Sequence, residues 1–475
     1  MKTRTCIFSL CCFFLVTASS CSKDFLETNP STQVSDQNLY KTLDGAQTVL
    51  NGTYRYLRSK STDVETSGII SWQNGFDAAA NDIIVYESQG YLQQYYAHLL
   101  AETRADGGLS SNIWSYYYTI INNVNNILAN LDKIDGPQAR KDAIKGQALA
   151  LRGWSYFYLI RFFMHTYSIA KDMPGVPYYS APGTVGKSRE KVSVIYQHIV
   201  EDLSGSVTLL AAYSRQYKNQ INQRVAQGIL AEVYLVMEDW ANAATMARSA
   251  RTGSALMTAD EFKSGFNNWN LSEWMWAQHQ TIDAQFGNIT SFTLWANQTR
   301  GTQWTYDFYF VNDKFKELYS TTDVRNQFWL RTDRKLWTSN KFRDNASYTG
   351  DVIMMRAAEM YLLEAEALAR SGQEQKAKDV LWELQDRRSA VRTQTSGTSF
   401  IEDILVERRK ELYGEGFAWF DLIRNSKPVH REGDHPRKPE IPARSWKFIF
   451  QLPTAEFNSN TSLKPADQNQ YDGIF

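Results

Sequence analysis

Cysteine is almost missing from this chain: of 475 residues only four are cysteine, at positions 6, 11, 12 and 21. Beyond Cys21 there is no thiol at all, which excludes a disulfide framework and any Cys-x-x-Cys metal knuckle. Histidine is also sparse. His98, His165, His198, His279, His430 and His435 are scattered without the i,i+4 spacing that ligation favours, so no metal site is expected. Neither sign of charge is in excess, with 51 Lys+Arg against 51 Asp+Glu. A net charge of zero argues against nucleic acid as the main partner, because phosphate binding needs a basic surplus. No phosphate-cradling glycine loop, Walker pattern or G-x-S-x-G elbow occurs, and no cofactor is expected. After the N-terminal segment no stretch is apolar enough to cross a bilayer.

What is present begins with a targeting segment over residues 1–20. Lys2 and Arg4 precede a short apolar run from Cys6 to Val16, and Thr17-Ala18-Ser19-Ser20 supplies small residues before Cys21. An ordinary signal peptide cut near Ala18 would leave Cys21 as a lone thiol in an exported protein, with no partner to pair. A lipobox, with Cys21 as the acylated first residue, gives that cysteine a purpose. Residues 21–40 then read as a tether.

Helical spacing dominates the rest. Leu43–Leu57, Ile113–Ile134, Ala139–Phe163, Val192–Leu210, Arg224–Met237 and Trp240–Ala250 carry apolar residues at intervals of three and four. From Val352 a further helix is expected, with Met355, Ala358, Leu362, Ala365 and Ala369 in one stripe. It stops at Ser371-Gly372 and is followed by a second row at Ala377, Val380, Leu381 and Leu384, an αα-hairpin. The small-and-large texture is that of tetratricopeptide-type repeats. The expectation is a mainly α fold: one large domain over residues 41–475, with about four helix pairs as a curved scaffold. Helical repeats occupy about 41–250 and 352–424, a loop-rich insert about 251–351, and an irregular tail 425–475. Within the second block Glu407, Arg408, Arg409, Glu411 and Glu415 crowd together among aromatics. Each carboxylate has a cation within a helical turn, which favours a buried ion-pair network over a catalytic carboxylate cluster.

The aromatic content, 13% with 14 Trp and 26 Tyr, fills core in part and is also what a protein needs to stack against sugar rings or other flat ligands. The apolar face of a sugar ring lies flat on an indole or phenol, while its hydroxyl rim needs amides and carboxylates. Two stretches combine these residue types without clean periodicity: 71–96, and the insert between 270 and 345. The candidates are Trp72, Asn74, Asp77, Tyr95 and Tyr96 in the first, and Trp295, Asn297, Trp304 and Tyr306 in the second. Trp72, Trp295 and Trp304 fit either a sugar platform or a core, whereas Trp274-Met275-Trp276 alternates like a buried strand. A glycoside hydrolase would need two facing carboxylates, and Asp77, Asp82, Glu87, Asp283 and Asp307 lie in eligible stretches. No catalytic frame surrounds them, so non-catalytic binding is the expectation.

Several motifs together are similar to one family. RAAEMYLLEAEALARSG and ERRKELYGEGFAWFDLIR resemble the C-terminal signature of SusD/RagB proteins, the surface nutrient-binding lipoproteins of Bacteroidetes. IWSYYYTIINNVNNIL, GQALALRGWSYFYL with its GVP exit, VIYQHIVEDL and the closing PTAEFNSNTSLKPADQN extend the resemblance along the chain. It departs at Phe417-Ala418, where the family carries an arginine that would thicken the ion network, and at Gln470-Tyr471-Asp472. The resemblance implies a lid on a SusC-like TonB-dependent outer-membrane transporter, lipid-anchored through Cys21 and facing outward. It implies capture of an oligosaccharide, or of a peptide as in RagB-like relatives, without catalysis. A surface glycoside hydrolase and a repeat-built scaffold or adhesin are the readings from other classes.

Overall fold

Small residues along the longest helix decide how the repeats stack. In the computed structural model, which describes residues 39–58, 68–85, 93–96, 104–281, 309–332, 335–343, 349–470 and 472–475, helix α4 spans Gln138–Phe163. A Cβ at its Gly153 would sit 2.9 Å from Leu203 Cγ, so only glycine lets α5 (Val192–Leu209) approach this closely. The stack continues through neighbours: α1 (Leu43–Leu57) on α3 (Gly108–Leu131), α3 on α4, α4 on α5, α5 on α6 (Gln223–Val236), and α6 on α7 (Trp240–Arg251). Side-chain caps set the helix starts, with Asn222 accepting from Val225 N–H and Asp239 from Asn242 N–H.

Helix α7 packs directly on α8 (Ala357–Arg370), although about a hundred residues of chain separate them. The repeat stack is therefore continuous, and the segment between Arg251 and Val352 is looped out of it. Beyond α8 come α9 (Glu374–Arg387), α10 (Thr398–Glu411) and a short α11 (Ala418–Arg424). Ser371-Gly372 makes the α8–α9 turn, with Gly372 at φ +78°. Residues of both blocks, Phe162, Trp419 and Phe450 among them, share one apolar core. Among the described residues no helix is long and apolar enough to cross a membrane.

Two elements differ from the sequence expectation. Val352–Arg356 is a strand, β4, paired antiparallel with β2 (Trp274–Gln278), and the helix begins only at Ala357. The apolar spacing runs on through both, but the pairing with β2 imposes extended backbone up to Arg356 (φ −141°, ψ 160°). All five residues of β2 are buried, as the Trp-Met-Trp alternation implied. The stretch from Ser71, which reads as irregular surface or a binding loop, instead opens with helix α2 (Ile69–Ala79), followed by strand β1 (Ile84–Val85). From Ser71 to Ala79 every residue but the half-buried Gln73 is buried, so no amphipathic stripe marks α2 in the sequence.

Candidate functional site

The five described candidate residues converge on one place, and that place is interior. Trp72 is 3% exposed and meets Tyr116 edge-on at 4.9 Å and Phe162 at 6.2 Å. Tyr95 packs edge-on against Phe76 at 5.5 Å. Tyr96 bonds His435 Nδ1 through its hydroxyl at 3.1 Å, and the Arg431 guanidinium lies 4.1 Å above its ring. Asn74 and Asp77 are buried beside them. These side chains, expected to face a sugar, have no ring face or amide open to one; they are the floor and not the surface. Trp295, Asn297, Trp304, Tyr306 and the lipidation candidate Cys21 lie outside the described residues.

The two candidate stretches are nevertheless tied together. Strand β3 (Tyr309–Phe310) pairs antiparallel with β1, with Ile84 opposite Phe310 and Val85 opposite Tyr309. The chain leaving Val85 and the chain arriving at Tyr309 thus meet at the same end of one ribbon. Arg431, which no local sequence signal marks, braces this base. It donates to the carbonyls of Ala78, Ala79 and Ala80 at 2.8–3.0 Å, capping the C-terminus of α2, and also to the Tyr96 carbonyl.

The rest of the base is electrostatic. Arg356, at the end of β4, donates to Glu273 and Glu411 at 2.6 Å and to both oxygens of Glu415 at 2.8 Å. Arg388, the C-cap of α9, donates to Glu273 at 2.7 Å and Glu411 at 2.8 Å. Arg325 joins Asp323, Glu407 and Glu411, while Lys341 binds Glu415 and two backbone carbonyls. With Lys410 included, five cations face five carboxylates, all buried or nearly so. Asp323, Arg325 and Lys341 belong to the insert, and Glu407, Glu411 and Arg388 to the repeats, so the network clamps one to the other. Ala418, where an arginine was expected, gives its N–H to Asp77 at 2.9 Å, and the network closes without that arginine.

Burial alone would raise the Glu407 carboxyl, but Arg325 and Lys410 outweigh it and hold it at about 2. Glu366 is likewise brought to about 2, with Arg424 overcoming the cost of burial. The unfolded chain titrates these groups near 4.5, so the stability they contribute is complete above that pH and drains away as pH falls towards 2. The urea midpoint is therefore expected to fall steeply between pH 4.5 and pH 2. A flat midpoint across that window would contradict the network.

Three clefts of similar size, about 430, 410 and 420 Å³, open on the described surface. One, of about 430 Å³, is floored by Phe315, Leu318, Leu405 and Leu422 at the inner end of the β1–β3 ribbon. Its polar rim is spent internally: Asn81 bonds His430 N–H and the Pro428 carbonyl, Asn312 bonds the Glu432 carbonyl, and Arg409 bonds Asp82. Such a rim offers little to a ligand's hydroxyl groups. Another cleft, of about 420 Å³, lies on the outer face of α3.

Comparison with known proteins agrees with this architecture. Residues 24–235 match a SusD-like family model described as starch-binding associating with outer membrane, and residues 251–472 match the SusD family model. SusD-like protein P2 of Formosa agariphila is 25% identical over 239 residues, 49% of this chain and 44% of that protein, so the match spans less than half of the relative. The structure of a SusD-like carbohydrate binding protein from Bacteroides vulgatus superposes with a TM-score of 0.81 at 27% identity, covering 90% of this chain and 98% of the other. A SusD superfamily protein from Bacteroides thetaiotaomicron gives 0.77 at 26% identity, covering 90% and 100%. With both halves of the chain matched and the helical stack reproduced along nearly its whole length, the chain belongs to the SusD/RagB family.

Proposed function

We propose that this protein is a non-catalytic, lipid-anchored receptor of the outer membrane that binds an oligosaccharide and hands it to a SusC-like TonB-dependent transporter. The observation that carries the reading is the β1–β3 register. It joins the ends of two stretches rich in Trp, Tyr and Asn on a base that the buried ion network and Arg431 make rigid. A rigid scaffold presenting aromatic, amide-bearing loops is how flat, hydroxylated ligands are selected. The 27% identical Bacteroides vulgatus relative named as a carbohydrate binding protein supports the ligand class. Cys21 is the acylation point. Trp295, Asn297, Trp304 and Tyr306 are the sugar-contacting residues of the insert.

Affinity electrophoresis through gels containing soluble starch, laminarin or xylan tests this, with the same mixtures analysed for released sugars. Retardation without products is the expected result, and released products would move the chain to the hydrolases. Trp295→Ala and Trp304→Ala are each expected to weaken binding about tenfold, the loss of roughly 1.4 kcal/mol of stacking, at unchanged helical circular dichroism. Unchanged affinity in both would remove the insert from the site.

A further inference from the structure

From the cleft on helix α3 we infer a second oligosaccharide-binding site on the outer face of the repeats. The inference shares the ligand class of the proposed function but places it on residues remote from the β1–β3 ribbon. One wall is aromatic. Tyr118 and Tyr179, both half-buried, meet edge-on with centroids 5.7 Å apart and planes at 80°, forming a corner. Trp114 backs that corner, 4.8 Å from the Tyr118 ring. Beside it runs a polar row. Ser115, Thr119 and Asn122 stand four and three residues apart on α3, on one face of the helix, and all three are exposed. Neither the Ser115 hydroxyl nor the Asn122 amide bonds another side chain or backbone group among the described residues.

The walls are held in place from behind. Trp114 Nε1 donates to Glu456 at 3.0 Å, and Glu456 also accepts from Asn460 at 2.8 Å. The Tyr118 hydroxyl donates to the Pro177 carbonyl at 2.7 Å. Asn125 donates to the Tyr179 carbonyl at 2.9 Å while accepting from Arg152, itself bound to Asp202 at 2.6 Å. Rings with fixed orientation, beside hydroxyl and amide groups left open, match the two chemistries of a sugar ring: an apolar C–H face and a hydroxyl rim. Two polar groups of the row stay open, the Ser115 hydroxyl and the Asn122 amide, while Thr119 gives its hydroxyl to the Ser115 carbonyl at 2.7 Å. The lining's one carboxylate, Glu456, is already bonded, so the cleft fits a neutral glycan better than an ionic ligand. Its volume of about 420 Å³ falls within the range of small-ligand pockets.

Two variants test the site. Thr119→Arg places a long charged side chain across the opening from an exposed helical position, where the core is undisturbed. Tyr179→Ala removes half of the aromatic corner. Both are run, as full-length protein, in the starch, laminarin and xylan gels beside Trp304→Ala. Short oligosaccharides of the retarding polymer are then titrated calorimetrically. The expected result is about two oligosaccharides per wild-type chain, about one in Thr119→Arg, and in Tyr179→Ala and Trp304→Ala one site unchanged and the other weakened about tenfold. Apparent affinity for the polymer is expected to fall about tenfold in each, as one of two linked contacts is lost. A wild-type stoichiometry of one that Thr119→Arg leaves untouched would overturn the second site and spare the proposed function. Loss of all binding in Thr119→Arg alone would keep this cleft and overturn the insert as the site. Absence of retardation by every polymer would overturn both.

Discussion

Replacing Arg356 by methionine is expected to lower the stability of the protein by about 3–5 kcal/mol, the cost of leaving buried carboxylates without their partner. Arg356 is wholly buried and holds three carboxylates at once, those of Glu273, Glu411 and Glu415, together with the Glu411 carbonyl. Methionine fills much of the volume, so a large cavity is not the cause of the loss. The penalty is electrostatic: Arg388 and Lys341 remain, but five carboxylates then face four cations where no water reaches. Glu411→Gln, which keeps a polar side chain and removes one negative charge, leaves the excess with the opposite sign and is expected to cost less. Breaking the exposed Lys145–Asp132 pair at 3.2 Å should change stability by no more than about 1 kcal/mol. Urea denaturation of the three variants gives the ranking, and an Arg356→Met midpoint equal to that of wild type would dissolve the clamp. Because the same network fixes the insert to the repeats, Arg356→Met should also weaken glycan retardation in native gels below its unfolding midpoint.

The helical stack was legible in the sequence because its information is local. Ala358, Leu362, Ala365 and Ala369 announce a helix at spacings of three and four, and α8 delivers it. The Trp274-Met275-Trp276 strand was legible for the same reason, with period two in place of 3.6. The ion network was half legible. Glu407, Glu411 and Glu415 have cations nearby in sequence, yet the partners that saturate them include Arg325, Arg356 and Arg388, from other elements. Residue identity was least informative for Trp72, Tyr95 and Tyr96. An aromatic among amides has the same appearance on a sugar platform and in a core, and what decides is Tyr116, Phe76 and Arg431, contacts made across long stretches of chain. The α3 cleft was hidden in the opposite way. Ser115, Thr119 and Asn122 read as the ordinary wet face of an amphipathic helix until Tyr179 is brought beside them in one cleft.

Asp77 separates a structural role from a ligand-binding one through the pH dependence of stability. Its two oxygens accept the N–H groups of Gly416, at 3.0 Å, and Ala418, at 2.9 Å, fixing the turn that leads into α11. Gly416 there has φ +88°, and a Cβ on it would come within 2.8 Å of the Gln73 backbone, so the turn cannot readily shift to find other partners. Asp77→Asn sets an amide N–H against one of these donors and is expected to cost about 1–3 kcal/mol. The pH dependence carries a sign. Burial raises the Asp77 carboxyl from 3.8 to about 7 despite those two hydrogen bonds. Between these values the folded protein holds a proton that the unfolded chain releases, so the Asp77 contribution falls as pH rises through the window. Asparagine does not titrate. The stability gap between wild type and Asp77→Asn should therefore narrow from pH 4 to pH 8 in buffered urea titrations. A gap that widens instead would mean that the two N–H donors, and not burial, govern this carboxyl. If Asp77 bound the glycan directly, the variant would lose affinity with its unfolding midpoint intact, and the turn would have no need of a carboxylate.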